Sequence, residues 1–435
     1  MTGPDRFWDR QAETLPRPEL EALQMARVRA RVERLQRSGN PFYRRLDGID
    51  PDSLRSHDDL ARLPFTVKTD LRDQYPFGMV VAPRRQIVRV HASSGTTGRP
   101  TVVAYTRADL DLWADVLARG LVAGGVTEED TLQNAAGYGL FTGGLGFHDA
   151  ATRIGAMVVP TSSGNTARQV MLMRDFGVTA LHATPSYALH IAEVAAAEGV
   201  DLRALPIRAV FLGAEPMSEA LQDEVAARMG ATVYEQYGLS EVIGPGVASN
   251  CGNGREMHVW DDQFIPEIVD PESGERLLDG EVGELVFTAP TKEALPVLRY
   301  RTRDRTSLTR EPCPCGRTSA RIGKILGRTD DMLIVRGVNV FPSQIEHALL
   351  RLDGPSPNYQ LVLTTRADRQ DELRVRIEPA EHHGAEAGDR AALEGRARAA
   401  LRDALGLQVI VELAAPRTIP RSEGKAVRVL DQRAR

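Results

Sequence analysis

The chain has few cysteines, few aromatic residues and no long apolar segment. Cysteine accounts for 3 of its 435 residues, and aromatic side chains for 5% of them. So few cysteines cannot build the disulfide framework that stabilises small secreted domains. No apolar run approaches the ~18 residues that a membrane-spanning helix needs, and the first residues lack the apolar core of a signal peptide. We therefore expect a cytoplasmic protein with no membrane partner.

The sequence also lacks an excess of positive charge. Its 54 lysines and arginines are outnumbered by 59 aspartates and glutamates, which gives a formal net charge of −5. Surfaces that bind nucleic acid are normally basic, so we expect no nucleic-acid partner. Hydrophobic residues make up 42% of the chain and charged residues 26%, as in ordinary globular proteins. The length allows two or three domains, each with its own core.

A loop rich in Ser, Thr and Gly follows a predicted strand at residues 86–91. The backbone N–H groups and hydroxyls of such a loop can surround phosphate oxygens. A Walker A loop ends in Gly-Lys-Ser/Thr, whereas here Arg99 and Pro100 follow the last glycine, which argues against a P-loop NTPase. Taken alone, the loop also fits a polar turn. The candidate phosphate-binding residues are Ser93, Ser94, Gly95, Thr96, Thr97 and Gly98.

Four further motifs follow in order along the chain. Residues 234–241 read Tyr-Glu-Gln-Tyr-Gly-Leu-Ser-Glu, 300–304 read Tyr-Arg-Thr-Arg-Asp, 327–331 read Gly-Arg-Thr-Asp-Asp, and 420–425 read Pro-Arg-Ser-Glu-Gly-Lys. Together with the loop, these motifs resemble the core motifs of the acyl-adenylate-forming superfamily. The segments at 138–144, 213–216 and 337–342 resemble the phenylacetate-CoA ligase family within it. The resemblance covers nearly the whole chain.

The order of predicted elements agrees with an α/β fold. Short apolar strands alternate with helical segments between residues 178 and 229, which predicts parallel strands covered by helices. After residue 328, a predicted hairpin, a helix and a strand indicate a smaller α+β unit. With the resemblance, we expect an ATP- and acid-binding N-terminal domain of parallel and mixed sheets at 1–328, helical over 1–80. A small mobile C-terminal domain is expected at 329–435.

The resemblance implies an AMP-forming aryl-acid:CoA ligase that uses ATP, Mg²⁺ and CoA. Such an enzyme converts a small aromatic carboxylic acid into an acyl-adenylate and then transfers the acyl group to a thiol. Tyr237 would stack on adenine, Ser240 would contact phosphate, Asp304 would bind the ribose hydroxyls, and Glu241 would bind Mg²⁺. Without the resemblance, Tyr237 also fits a core aromatic and Glu241 a helix cap. The remaining implied ATP- or AMP-binding residues are Gly213, Ala214, Glu215, Gln236, Gly238 and Arg328.

The resemblance also implies two alternating conformations. Lys425, on the C-terminal domain, would act with Glu241 as a catalytic residue, facing the charge that develops at the α-phosphate. Asp330 would be the hinge about which the C-terminal domain rotates. Gly337 would then line the pantetheine tunnel. A lysine near a chain end is otherwise most often a solvated surface residue.

The acid is expected near Tyr138, Phe141, Phe147 and the segment Ile243, Gly244 and Pro245. Phe147 departs from the phenylacetate pattern, and its bulk favours a shorter benzoate-type acid over a phenylacetate-type acid. Asp149, two residues later, either pairs with an amino or hydroxyl substituent of the acid or faces solvent.

One cysteine pair lies in a tight turn, Cys313 and Cys315, while Cys251 precedes His258 by seven residues. Three thiolates and an imidazole form a Cys₃His set, which holds structural zinc in many proteins. Three free cysteines and an unrelated histidine are the alternative. Some phenylacetate-CoA ligase relatives resemble this arrangement, which favours zinc.

Three questions stay open at this level. A carrier-protein pantetheine could replace CoA as acceptor, in a stand-alone aryl-acid–AMP ligase. A non-catalytic nucleotide-binding module is a different class, and the presence of Glu241 and Lys425 argues against it. A homodimer is kept as a candidate oligomeric state.

Overall fold

The structure is a computed structural model. It describes residues 6–93, 100–331, 333–336, 338–365, 371–380, 387–422 and 426–433. No helix in these ranges is long and apolar enough to cross a membrane.

The described residues form helices throughout the chain and strands from residue 89 onward. The α-helices are α1 (Arg10–Glu13), α2 (Arg17–Gln36), α3 (Lys68–Asp73), α4 (Arg107–Ala123), α5 (Thr142–Ile154), α6 (Thr166–Asp175), α7 (Pro185–Ala197), α8 (Glu219–Met229), α9 (Pro342–Leu350) and α10 (Ala387–Leu405). The strands are β1 (Arg89–Ser93), β2 (Thr101–Tyr105), β3 (Thr131–Asn134), β4 (Met157–Val159), β5 (Ala180–Ala183), β6 (Ala209–Gly213), β7 (Thr232–Leu239), β8 (Gly244–Asn250), β9 (Met257–Val259), β10 (Ile265–Val269), β11 (Gly283–Ala289), β12 (Val297–Thr306), β13 (Leu308–Thr309), β14 (Arg321–Ile322), β15 (Leu333–Val335), β16 (Val338–Val340), β17 (Pro355–Thr365), β18 (Asp371–Pro379), β19 (Ile410–Leu413) and β20 (Val429–Asp431).

The largest sheet has the strand order β13-β14-β9-β8-β7-β6-β5-β3-β4. The half from β4 to β7 is parallel, and its connections are helices α5 to α8. The half from β7 to β13 is antiparallel. Because β5 and β6 have both faces covered, every one of their residues is buried. The expected α/β class, with mixed sheets covered by helices, is confirmed.

Two smaller sheets complete this part of the chain. Strands β10, β11 and β12 form an antiparallel sheet, and α2 packs against it through a cluster that includes Ile265 and Leu298. Strands β1 and β2 form an antiparallel pair in which Ser93 lies opposite Thr101. This pair therefore brings together the two ends of the Ser/Thr/Gly loop.

Local signals explain where the central helices begin and end. Helix α4 begins at Thr106, whose hydroxyl accepts from the N–H of Asp109 while the Asp109 carboxylate accepts from the N–H of Thr106. Helix α8 begins at Ser218, which caps it through the N–H of Leu221, and ends at Gly230 with φ of 66°. Such a left-handed residue ends a helix readily when it is glycine.

The residues from Leu333 onward form a separate unit, here called the C-terminal unit. Its four-stranded sheet has the order β19-β18-β17-β20, and α9 and α10 supply residues to the same apolar core. The hairpin of β17 and β18 matches the one predicted at 361–377. Leu350 of α9 packs instead against the core around β5 and β6, which helices α6 to α8 also form, so α9 contacts the rest of the protein. The boundary at 328/329 stays a prediction.

Candidate active site

The site lies at the carboxyl ends of the parallel strands, where ligands of open α/β sheets bind. Gly213 ends β6 and is the register partner of Gln236 in β7. A Cβ at Gly213 would overlap the carbonyl oxygen of Gln236, so glycine allows the two strands to approach. The Gln236 side chain donates to the Ser249 hydroxyl at 2.5 Å and is buried. Ala214, which follows, is exposed and has φ of 71°.

A chain of polar contacts runs from β7 to the start of the C-terminal unit. The Tyr237 hydroxyl donates to one oxygen of Asp304 at 2.6 Å, and Arg328 Nη1 donates to the other at 3.0 Å. The same guanidinium donates to both carboxylate oxygens of Asp330, at 2.8 and 3.1 Å. Burial raises the pKa of Asp304, and Arg328 and Tyr237 oppose that shift. Four residues singled out from three separate motifs therefore meet in one place.

Ser240 and Glu241 follow β7 directly. The Ser240 hydroxyl lies 3.1 Å from the Thr142 hydroxyl at the N-terminus of α5. Glu241 is 5% exposed, and one of its carboxylate oxygens lies 3.7 Å from Lys68 Nζ. Gly238 packs against β8, where a Cβ would overlap the Gly244 carbonyl oxygen. The carboxylate thus lies at the base of the site with a cation beside it.

Lys292 belongs to this cluster and was missed by the sequence reasoning. Its side chain is fully buried, and Nζ donates to the carbonyl oxygen of Glu241 at 3.3 Å and lies 4.9 Å from the Tyr105 ring centroid. Burial lowers the pKa of Lys292 to about 8, although Asp109 and Glu241 oppose the shift. Asp109 also accepts from the N–H groups of Glu293 and Ala294, which fixes the turn that carries Lys292. Buried lysines are rare. The only signal for Lys292 in the sequence is its position in a turn that follows an apolar segment.

The residues expected around the acid surround the N-terminus of α5. Tyr138 accepts from Asn134 Nδ2 at 2.8 Å and contacts His148 at 3.3 Å, while Phe141, the residue before α5, is 55% exposed. Across from them, the carbonyl of Ile243 accepts from Tyr105 at 2.9 Å, and that of Pro245 accepts from Trp113 Nε1 at 2.9 Å. Gly244 between them has φ of 134°, which favours glycine.

Phe147 lies elsewhere than the sequence reasoning placed it. It is fully buried in the core between α5 and the sheet, and its ring stacks on that of His182 with centroids 3.4 Å apart. It therefore does not face an open pocket, and the reason for expecting a shorter acid is lost. Asp149 accepts from Arg89 Nη1 at 2.6 Å, and its side chain is 28% exposed. The side chain of Phe147 is directed into the core because it lies on the face of α5 that packs against the sheet.

The four residues of the predicted metal set meet in space. One ligand atom from each of Cys251, His258, Cys313 and Cys315 lies within 4.8 Å of all the others. The sulfurs of Cys251 and Cys313 are 3.8 Å apart, and the Cys315 sulfur is 3.3 Å from His258 Nε2. The other ring nitrogen of His258 contacts the Ser319 hydroxyl at 2.9 Å. Hydrogen bonds from Cys251 and His258 lower the pKa of Cys315, which favours a thiolate in the set.

Seven predicted site residues lie outside the described residues: Ser94, Gly95, Thr96, Thr97, Gly98, Gly337 and Lys425. The chain on both sides of Lys425 is described. Arg421 Nε lies 3.2 Å from Glu193 Oε2, and the N–H of Ala426 donates to Glu215. Glu215 therefore contacts the C-terminal unit through the residue that follows Lys425.

Family models match most of the chain. The model of the AMP-binding enzyme matches residues 49–292, and that of the AMP-binding enzyme C-terminal domain matches residues 337–433. The phenylacetate-coenzyme A ligase of Thermus thermophilus is 49% identical over 97% of this chain and 98% of its own length. That of Escherichia coli is 45% identical over 97% of both.

Solved structures agree with these sequence relatives. 2-Hydroxyisobutyryl-CoA ligase in the postadenylation state with 2-HIB-AMP is 32% identical, with a TM-score of 0.92 over 99% of this chain and 94% of that one. The same ligase in the thioesterification state has a TM-score of 0.73, over 100% of this chain and 94% of that one, at 33% identity. The chain therefore belongs to the AMP-binding enzymes and, within them, to the phenylacetate-coenzyme A ligase family.

Proposed function

We propose that this protein is an AMP-forming ligase that joins phenylacetate to coenzyme A. The acid's carboxylate attacks the α-phosphorus of ATP, which gives an acyl-adenylate and pyrophosphate. The CoA thiol then attacks the acyl carbon, and AMP leaves. The observation that carries this proposal is the near full-length similarity to phenylacetate-coenzyme A ligases, together with the meeting of Tyr237, Asp304 and Arg328 in one site.

Two observations favour phenylacetate over benzoate. The relatives that share 44–49% identity over at least 90% of the chain are named phenylacetate-coenzyme A ligases. A benzoate–CoA ligase is 26% identical over 59% of the chain. Phe147, which had favoured the shorter acid, lies in the core. The same names favour CoA over a carrier protein as acceptor.

We assign the nucleotide contacts by the geometry of the site. The Asp304 carboxylate, which accepts from Tyr237 and Arg328, would also accept from the ribose hydroxyls, and Ser240 would contact a phosphate. The Glu241 carboxylate, which is buried, would be the hard oxygen ligand for Mg²⁺. When bound, Mg²⁺ would neutralise charge on the phosphates. The Ser/Thr/Gly segment at 93–98, which lies between β1 and β2 in the sequence, would bind the β- and γ-phosphates.

The first test compares aryl acids. With ATP, Mg²⁺ and CoA, we expect phenylacetate to give AMP and phenylacetyl-CoA in equal amounts. The kcat/KM for benzoate should be lower by about tenfold or more, because a single methylene is worth 10- to 200-fold in an apolar pocket. Product masses and AMP release measure both. A higher kcat/KM for benzoate would contradict the proposed acid, and ADP in place of AMP would contradict the reaction class.

A second test separates the two half-reactions. Lys425→Ala should lower adenylate formation ~10²- to 10³-fold, because the lysine faces charge that develops only in that step. The same variant should convert synthetic phenylacetyl-AMP and CoA to thioester at nearly the wild-type rate. Gly337→Leu should show the opposite pattern, since its side chain would obstruct the pantetheine arm. Equal losses in both steps for Lys425→Ala would show that one fixed site performs both.

We propose that Lys292 fixes the Glu241 loop and offsets the charge of Glu241. Its ammonium donates to the Glu241 carbonyl oxygen, and the Asp109 carboxylate accepts from the N–H of Glu293, the residue after Lys292. Because the pKa of Lys292 is lowered to about 8, the ammonium is charged below that pH and loses its proton above it.

Lys292→Met preserves volume and removes the charge. We expect the concentration of Mg²⁺–ATP needed for half-maximal adenylation to rise about tenfold. Adenylation by the wild type should fall as pH rises through about 8, and this fall should be absent in the variant. Thermal stability should also fall, because removing the ammonium leaves the buried carboxylates of Asp109 and Glu241 without their compensating charge. An unchanged dependence on Mg²⁺–ATP, measured by pyrophosphate exchange, would contradict this role.

We further propose that Cys251, His258, Cys313 and Cys315 hold a structural zinc ion. Tetrahedral zinc with Zn–S of ~2.3 Å and Zn–N of ~2.0 Å places two sulfurs ~3.8 Å apart and a sulfur and a nitrogen ~3.5 Å apart. The structure has 3.8 Å between two of the sulfurs and 3.3 Å between Cys315 and His258. The Ser319 hydroxyl would fix the imidazole from its other side. With four protein ligands, the ion would stabilise the fold and do no chemistry.

Protein purified without chelators should contain about one zinc ion per chain by metal analysis. Cys315→Ser should reduce this to nearly none and lower the unfolding temperature, because the set loses a thiolate. Ser319→Ala is the matched control, since it removes only the contact to His258 and should retain zinc with reduced affinity. Wild-type protein without zinc would contradict the proposal.

A further inference from the structure

The C-terminal unit is tied to helix α7 by a charged bridge. Arg421 Nε lies 3.2 Å from Glu193 Oε2 on α7, and its Nη2 lies 2.9 Å from Glu378 Oε2 on β18. Asn358 on β17 donates to the other oxygen of Glu193 at 3.3 Å. One carboxylate on α7 therefore receives donors from two separate parts of the C-terminal unit.

A second tie runs to the start of the same helix. Ser186, in the first turn of α7, donates to Glu215 through its backbone N–H at 3.0 Å and through its hydroxyl at 2.8 Å. Glu215 in turn accepts from the N–H of Ala426. Residues 422–425, which include Lys425, lie in the sequence between Arg421 and Ala426. Arg421 is bound by Glu193 of α7, and Ala426 is bound by Glu215, which accepts from Ser186 of α7.

The charges in the bridge are partly removed from water. The side chains of Glu193 and Arg421 are 17% and 16% exposed. Burial alone would raise the pKa of Glu193, but nearby His190, 3.6 Å away, and the hydrogen bond from Arg421 lower it to about 2. The carboxylate is therefore ionised throughout the neutral range. Ion pairs at this depth are weakly screened, unlike exposed pairs that contribute little.

We infer that Glu193 is a positioning residue for adenylation: it fixes Arg421, and through it the segment that carries Lys425. This inference rests on the proposed two-step reaction. The chain is more similar to a relative in the postadenylation state than to the same relative in the thioesterification state. A contact between α7 and the C-terminal unit can favour the first step only if it is specific to one arrangement. In this inference, the contact between Glu193 and Arg421 is made in the arrangement of the first step and is lost in the arrangement of the second.

The test measures each half-reaction in the full-length protein, with whichever acid the wild type activates. Glu193→Gln removes the charge and keeps the size of the side chain. We expect acid-dependent pyrophosphate exchange to fall roughly tenfold. Thioester formation from the synthetic acyl-adenylate and CoA should stay within about twofold of the wild type. Glu198→Gln, an exposed glutamate just past the end of α7, is the matched control and should change neither step.

A double-variant comparison shows whether Glu193 acts through Arg421. If it does, Glu193→Gln combined with Arg421→Gln should be no slower in adenylation than Arg421→Gln alone. If the losses of the two single variants multiplied in the double variant, Glu193 would not act through Arg421, and the inference would be wrong. Equal losses in both half-reactions with a lower unfolding temperature would show a merely structural role, and no loss in either would remove the role altogether. A wild type that activates aryl acids but is insensitive to Glu193→Gln defeats this inference alone, whereas a wild type that releases no AMP with any acid defeats the proposed function.

Discussion

The arrangement of the site depends on the hydrogen bonds that the Asp304 carboxylate accepts. One of its oxygens accepts from Tyr237 on β7, and the other accepts from Arg328, which also binds Asp330. Asp304 thereby connects the large sheet, strand β12 and the segment that leads into the C-terminal unit. If a nucleotide's ribose binds at Asp304, it competes for the acceptors that hold Arg328. Nucleotide binding and the position of the segment at Asp330 would then be thermodynamically coupled, so that each changes the free energy of the other.

The C-terminal unit is tied to the rest of the protein near both of its ends. Before its first strand, Arg328 contacts Asp304 and Asp330, whose side chains are 13% and 53% exposed. Before its last strand, Glu193 contacts Arg421, with side chains 17% and 16% exposed, and Glu215 accepts from the N–H of Ala426. Between them, Leu350 adds apolar contact with the core around β5 and β6. An interface with many polar contacts separates and reforms more readily than a large hydrophobic one.

The fold class followed from the sequence because it depends on periodicity and order. The strands predicted between 178 and 229 correspond to β5 and β6, with α7 and α8 among the helices, and the hairpin predicted after residue 328 is formed by β17 and β18. Tyr237, Asp304 and Arg328 were identified through sequence motifs. They were expected to lie close together because the motifs were expected to form one site. Phe147 was misplaced because the sequence does not show which face of α5 is buried. Lys292 and Glu193 lie outside the recognised motifs, and their roles depend on tertiary contacts that a single sequence does not show.

The cost of burying charge explains why these contacts occur where they do. Lys292 is fully buried and Glu241 nearly so, and an ionised group in such a place is stable only beside compensating dipoles and charges. The protein provides them through the Glu241 carbonyl and the carboxylates of Asp109 and Glu241. A site organised in this way has its dipoles fixed before the triphosphate arrives, so little reorganisation is needed when charge develops at the α-phosphate. Lys425, the residue proposed for that step, would then add its charge to an electrostatic environment that Lys292, Asp109 and Glu241 already provide.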